Sequence, residues 1–261
     1  MEDWPTTVIV AFAGVVGGVV LGLAARLGRF CTLAAIEDAM FANDLRRLRM
    51  WALALAISIA GVAILSTADV VNFSQSLYHR LPPNPVAWIL GGLMFGIGMA
   101  FCGTCGYGTL ARIGGGDLRA LFGFLVLGIA AYMAIAGPTA QLRLYVLSPL
   151  AFGDSSAAHT FLQVAAVGQL TSILLPLAIA VCLCAWSLSH STFRKSTRHV
   201  FWGSAVGIAI LSGWLATGWL GADPFEPQPV VSHTFSVPLG QTLIFFMTMS
   251  SATVSFGIGG T

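Results

Sequence analysis

Long apolar runs separated by short polar breaks dominate the chain. They cover Thr7 to Ala25, Met50 to Leu65, a run from Val86 into a cysteine-glycine cluster, Leu118 to Ala136, Thr160 to Leu188, Val200 to Leu220, and a last run from Val237 toward Ser255. About 20 apolar residues carry a helix across the hydrocarbon core of a bilayer. The pattern therefore predicts seven crossings, the fifth long enough to tilt. Thr32 to Phe41 has the apolar period of a helix but carries Glu37 and Asp38. It is predicted as a surface helix or the return arm of a re-entrant segment. Leu81-Pro-Pro-Asn-Pro85 stops any helix and starts the third span at Val86. Asp117 stands where it can cap the fourth, and Gly137-Pro138 ends it. Residues 139–159 read as a partly helical loop at the interface, and 189–199 as a polar loop. The expected fold is all-α, a polytopic integral membrane protein with glycine-rich broken or re-entrant elements.

The third run ends unlike the others, in Gly91-Gly-Leu-Met-Phe-Gly-Ile-Gly-Met-Ala-Phe-Cys-Gly-Thr-Cys-Gly-Tyr-Gly-Thr109. Glycine at this density releases the backbone from helical geometry or lets it approach a ligand closely. Within lipid such a break survives only where protein or a polar cavity surrounds it. Cys102, Gly103, Thr104, Cys105, Gly106, Tyr107, Gly108 and Thr109 are therefore the candidate transport site, with Gly103, Gly106 and Gly108 expected in non-helical backbone. The same residues could serve close helix packing with inert thiols.

Composition narrows the class. Of 261 residues, 57% are hydrophobic and 8% charged, against about 25% charged in soluble domains. Basic residues do not interleave with aromatics on a polar surface, which excludes a nucleic-acid role. Cys31, Cys102, Cys105, Cys182 and Cys184 lie in or beside apolar runs, without the spacing of a disulfide framework or a zinc site. No metal or cofactor is expected. With the N-terminus outside, ten of the twelve basic residues fall in inside loops, leaving Arg80 and Arg143 outside; the positive-inside rule favours that orientation. Asp44-Leu-Arg46-Arg47-Leu-Arg49 is expected to be a basic interfacial anchor. MEDWPTT lacks the positive start of a signal peptide, so the first run is expected to remain as a span. Pro238 to Thr261 echoes Val8 to Gly28. Residues 1–236 are thus read as a first helical repeat with its connecting spans, and 237–261 as the start of a second.

Two segments resemble the YeeE/YedE family, also called the sulphur-transport family, which includes bacterial thiosulfate-uptake proteins. One is Gly28-Arg29-Phe30-Cys31, followed by a short helix and a basic patch. The other is Gly96-Ile-Gly-Met99 through Cys105-Gly-Tyr-Gly-Thr109-Leu110. The family's cysteines fall on Cys31 and Cys105. Cys102 replaces a small residue usual in the family, and Thr104 a common glycine. Members are usually longer, and the resemblance covers this chain as roughly the first two-thirds of such a protein.

The resemblance implies an importer in the bacterial inner membrane, N-terminus periplasmic, that passes thiosulfate or a related inorganic sulphur anion between cysteine thiols along a narrow path. A neutral thiol is a weak donor and a soft neighbour for sulphur, whereas a thiolate would repel a dianion. Helix N-termini near Cys31 or Cys105 offer N–H groups without fixed charge. Arg29 stands as a possible mouth residue, or as a snorkelling anchor. Cys182 and Cys184 read as apolar fillers, and the five histidines as solvated. An enzyme is not expected. The competing functions are a membrane sulphurtransferase or persulfide carrier using Cys102 or Cys105, and an accessory subunit for a soluble sulphur carrier or sulphurtransferase. The expected partners are the anion, the bilayer and such a soluble protein; the sequence assigns no oligomeric state.

Overall fold

The computed structural model describes residues 6–73, 76, 84–151, 169–222 and 230–248. All regular structure among them is helical: α1 (Thr6–Arg26), α2 (Thr32–Phe41), α3 (Arg46–Thr67), α4 (Pro85–Cys102), α5 (Gly106–Ile113), α6 (Leu118–Ala136), α7 (Pro138–Leu147), α8 (Gln169–Leu188), α9 (Ser191–Arg194), α10 (Thr197–Leu215) and α11 (Ser236–Thr248). A 3-10 turn (Ser148–Leu150) follows α7, and a π-helical turn (Ala216–Leu220) extends α10.

The chain forms two compact units, Met1–His79 with His159–His233, and Arg80–Ala158 with Thr234–Thr261. In the first, α3 is the central helix. It buries Met50, Ala52, Leu53, Ala54 and Ala56 against α8 and α10, and α1 lies on α10. The α3–α10 approach is close because α10 presents glycine: a Cβ at Gly207 would lie 2.8 Å from Ile57 Cβ. Such small-residue contacts hold membrane helices together where lipid removes the hydrophobic drive.

Arg49 departs from the expected interfacial anchor. Only 8% of it is exposed. Its Nη1 donates to the carbonyls of Trp186 and Ser187 and to Ser189 Oγ, and its guanidinium lies over the Trp186 ring. Ser187 Oγ donates back to the Arg49 carbonyl at 2.8 Å. A cation on the last carbonyls of α8 meets the negative end of that helix. Arg49 thus joins α3 to α8, while Arg46 and Arg47 pair with Asp44 and Asp38.

In the second unit α5 and α11 pack on α6, where a Cβ at Gly128 would meet Leu243 Cδ1 at 2.4 Å. Asn84 starts α4 by accepting from Ala87 N–H, and its Nδ2 donates to the Leu147 carbonyl at 2.6 Å. Along α4 itself only Met99 is buried.

Five stretches among the described residues are long and apolar enough to span a bilayer: Val8–Arg26, Arg46–Thr67, Pro85–Ile113, Leu118–Ala136 and Thr197–Leu220. The chain is an all-α polytopic membrane protein, and seven crossings are not established. The fifth expected span is helical over Gln169–Leu188, with 160–168 outside the described residues; the seventh is helical over Ser236–Thr248, with 249–255 outside them. Most of the proposed second repeat, 249–261, likewise lies outside them. Thr32 to Phe41 forms a short helix with the expected bounds, and the stretch 139–159, expected to be a partly helical loop, opens with α7, while 152–159 lie outside the described residues.

Candidate anion site

The apolar run ending at the cysteine-glycine cluster breaks as a helix. α4 stops at Cys102, Gly103 takes a left-handed φ of 64°, and α5 starts at Gly106. Of the three glycines expected in non-helical backbone, only Gly103 is so used. Gly106 and Gly108 belong to α5 and serve close approach instead. A Cβ at Gly106 would lie 2.9 Å from both Leu127 and Phe235, and one at Gly108 2.4 Å from Thr104 Oγ1.

Cys105 is the N-cap of α5. Its backbone is extended, its Sγ accepts from the Gly108 N–H at 3.4 Å, and the residue is 7% exposed. The Thr109 N–H and hydroxyl both donate to the Cys105 carbonyl, as does the Thr104 hydroxyl. Thr104 and Thr109 therefore fix the turn, with their donor hydrogens already committed to it. Tyr107 lies beside Phe235, ring centroids 6.4 Å apart. Cys102, at the last turn of α4, is exposed. The structure thus gathers Cys105 with Thr104, Gly106, Gly108 and Thr109, and separates Cys102 from it by exposure.

Cys31 occupies the matching place in the first unit. It is the N-cap of α2, extended at φ −147°, and its carbonyl accepts from Ala35 N–H at 3.0 Å. Its side chain makes no capping bond and is half-buried. The α1–α2 break is held from outside. Arg198 donates through Nε and Nη2 to the Leu27 carbonyl, Trp202 packs where a Gly28 Cβ would sit, and Phe30 stacks on Trp51 at 4.4 Å. The Trp51 indole N–H is buried with no acceptor among the described residues. Arg29 is exposed, with a left-handed φ of 54°.

The two breaks follow one plan. A left-handed residue stands two before each capping cysteine, Arg29 and Gly103. A short helix follows, then a second left-handed residue, Asn43 or Gly116. An aspartate closes the turn: Asp44 Oδ1 accepts from Arg46 N–H at 3.0 Å, and Asp117 Oδ1 from Arg119 N–H at 3.1 Å. A long span then begins. Sequence reasoning placed the repeat at 237–261 and passed over this one, although Asp44-Leu45-Arg46 and Asp117-Leu118-Arg119 repeat the same three letters. Each short helix thus begins at a cysteine, but only α5 directs an N-terminal N–H, that of Gly108, to the thiol; a helix N-terminus accepts an anion without a fixed positive charge.

Residues 27–260 match the family described as Sulphur transport. The chain is also 26% identical over 210 residues to the thiosulfate transporter TsuA of Spirochaeta thermophila, covering 77% of this chain and 61% of that one. It is 27% identical over 118 residues to the thiosulfate transporter TsuA of Escherichia coli K12, covering 44% of this chain and 32% of that one. The alignments thus span less than two-thirds of either relative's length. The two cysteine-capped breaks lie inside the matched residues, and the chain belongs to the sulphur-transport family, the YeeE/YedE group.

Proposed function

We propose that this protein carries thiosulfate or a related inorganic sulphur anion inward across the bacterial inner membrane, through weak stations at Cys105 and Cys31. The carrying observation is the duplicated break, in which a cysteine stands at the head of a short helix directly after an apolar span. Each break offers backbone N–H groups and a thiol, and neither requires a permanent ion pair with the passenger. Weak sequential sites suit passage, because a site that binds too tightly does not release. Family membership and the two TsuA relatives support the substrate class. Arg29 gathers anions at the Cys31 side, and the basic distribution supports an N-terminus outside the cytoplasm. No catalytic step is needed for this reading.

The test is uptake of radiolabelled thiosulfate by cells lacking their own uptake route, at matched membrane expression. Cys105→Ala is expected to reduce uptake to background while costing about 1 kcal/mol of stability or little more. Cys105→Ser keeps a donor of similar size but not the soft sulphur, and partial activity would assign the role to hydrogen bonding alone. Undiminished uptake in Cys105→Ala would reduce the cysteine-glycine cluster to a packing motif.

A further inference from the structure

The five histidines were expected to be solvated, and His233 is half-buried. The first unit carries it on Val230–His233, a stretch without helix or strand. Thr217, on the π-helical turn, holds this stretch both ways: its Oγ1 donates to the Val231 carbonyl at 2.8 Å and accepts from Val231 N–H at 3.2 Å. Ser232 Oγ donates to the Ile210 carbonyl at 2.7 Å. The partners step back along α10, from Thr217 to Ile210, as the segment advances, so it runs from the helix end toward the helix middle. Val230 is buried. Irregular backbone at such depth survives only inside protein or beside a polar cavity, and π-helical turns are frequent at functional sites.

Two glycines make room for the imidazole. A Cβ at Gly17 would lie 2.1 Å from His233 Nε2, and one at Gly213 2.9 Å from the His233 backbone nitrogen. Gly17 is at the centre of α1, about 15 Å from either end of that helix. His233 is therefore level with the middle of a span. Its ring faces Ser212 Oγ at 3.4 Å and the Ala209 carbonyl. Ser212 Oγ also donates to that carbonyl, at 2.7 Å. Among the described residues no charged group faces the ring: Arg26 lies at the far end of α1, and Arg198 and His199 in the first turn of α10. A packing residue here would be apolar; an ionisable one at mid-span is a functional group by default.

We propose that His233 is a proton-binding site, and that its imidazole takes up one proton with each anion carried and returns it on the cytoplasmic side. The proposal rests on the anion-uptake reading and adds its coupling ion. A dianion moving inward works against a negative interior at about 2.3 kcal/mol per charge per 100 mV, and each accompanying proton removes one charge from that work. An arginine would keep its charge at release. A histidine gives it up, since its unperturbed pKa of about 6.5 lies inside the working range.

The full chain, reconstituted in liposomes holding a pH-sensitive dye, is given external thiosulfate. Wild type is expected to acidify the lumen in step with uptake, with uptake rising about fivefold as external pH falls from about 8 to about 5. His233→Gln is expected to lose both the acidification and the pH dependence. Gly17→Ala, which displaces the ring and leaves every histidine in place, should show the same loss. Uptake by wild type without acidification overturns the proposal and leaves the anion-uptake reading standing, as does an unchanged acidification in both variants. If wild type takes up no thiosulfate, that reading fails. The proposal is then decided by nitrogen NMR of labelled histidine in the full chain: a mid-span ring that titrates between about pH 5 and 8 supports it, and one locked in a single state overturns it.

Discussion

The Cys31 and Cys105 breaks share a plan and differ in what holds them. At Cys105 the turn is tied by its own residues, with Thr104 and Thr109 on the Cys105 carbonyl and Gly108 N–H on Sγ. The cysteine is buried, and the left-handed position is a glycine. At Cys31 the thiol caps nothing and is half-buried. That turn depends on side chains far away in sequence, Arg198, Trp202 and Trp51, and its left-handed position is an arginine. A break stabilised locally keeps its shape when the surrounding helices shift. One stabilised by distant contacts follows them. The contrast makes the Cys105 turn the self-held one and the Cys31 turn the one whose geometry follows the α1–α10 contact.

The largest test of this difference compares the residue just before each cysteine. Phe30 is 4% exposed and stacked on Trp51. Phe30→Ala is expected to cost about 3–4 kcal/mol and to raise maleimide labelling of Cys31 while Cys105 labelling stays as in wild type. Thr104→Ala should cost about 1 kcal/mol and leave Cys31 labelling untouched. Equal changes at both thiols in either variant would mean the breaks are not independently held.

A smaller effect, of opposite sign in the two breaks, is expected at the left-handed positions. A Cβ at Gly103 meets nothing within 4 Å, so Gly103→Ala isolates the backbone penalty, about 1–2 kcal/mol. Arg29→Gly removes a comparable strain and should stabilise by about 1 kcal/mol, while lowering uptake at dilute thiosulfate. Thermal unfolding in detergent reads the first pair of values. A destabilised Arg29→Gly would show that the guanidinium, not the turn, holds that segment.

The smallest effect belongs to the closing aspartates. The hydrogen-bonded Arg46 side chain holds the Asp44 carboxyl below its ordinary range. A depressed carboxyl pKa adds stability that is present above the unfolded value, about 3.9, and is lost as pH falls through the folded value. The melting temperature of wild type should therefore exceed that of Asp44→Asn near neutrality and converge with it below about pH 4. A gap that widens in acid would contradict the pairing. Arg112 and Asp117, exposed and 3.4 Å apart, form a surface pair worth about 0–1 kcal/mol.

Apolar run length, proline and glycine stops, and the Asp117 cap carry the helical layout in the sequence itself, because each acts within a turn or two of chain. α2, α4 and α6 start or end where those local signals stand. The break after Cys102 was equally legible, since glycine density marks it. Which glycine adopts the left-handed φ was not, and neither was the use of Gly106 and Gly108, which depends on where Leu127, Phe235 and Thr104 lie. Arg49 reads as an anchor in sequence because nothing nearby in the chain reveals the α8 carbonyls that bind it.

Sequence alone determined that this chain lives in a bilayer, that it is helical, that its fourth helix breaks beside a thiol, and that two cysteine segments resemble one family. Hydropathy and backbone conformational preference are local quantities, and composition states them directly. Only the tertiary structure decided that Cys31 and Cys105 are N-caps in duplicate breaks, that Arg49 is buried, and that His233 sits level with the middle of α1. Each of these depends on residues brought together from distant parts of the chain, and local pattern carries no record of such meetings.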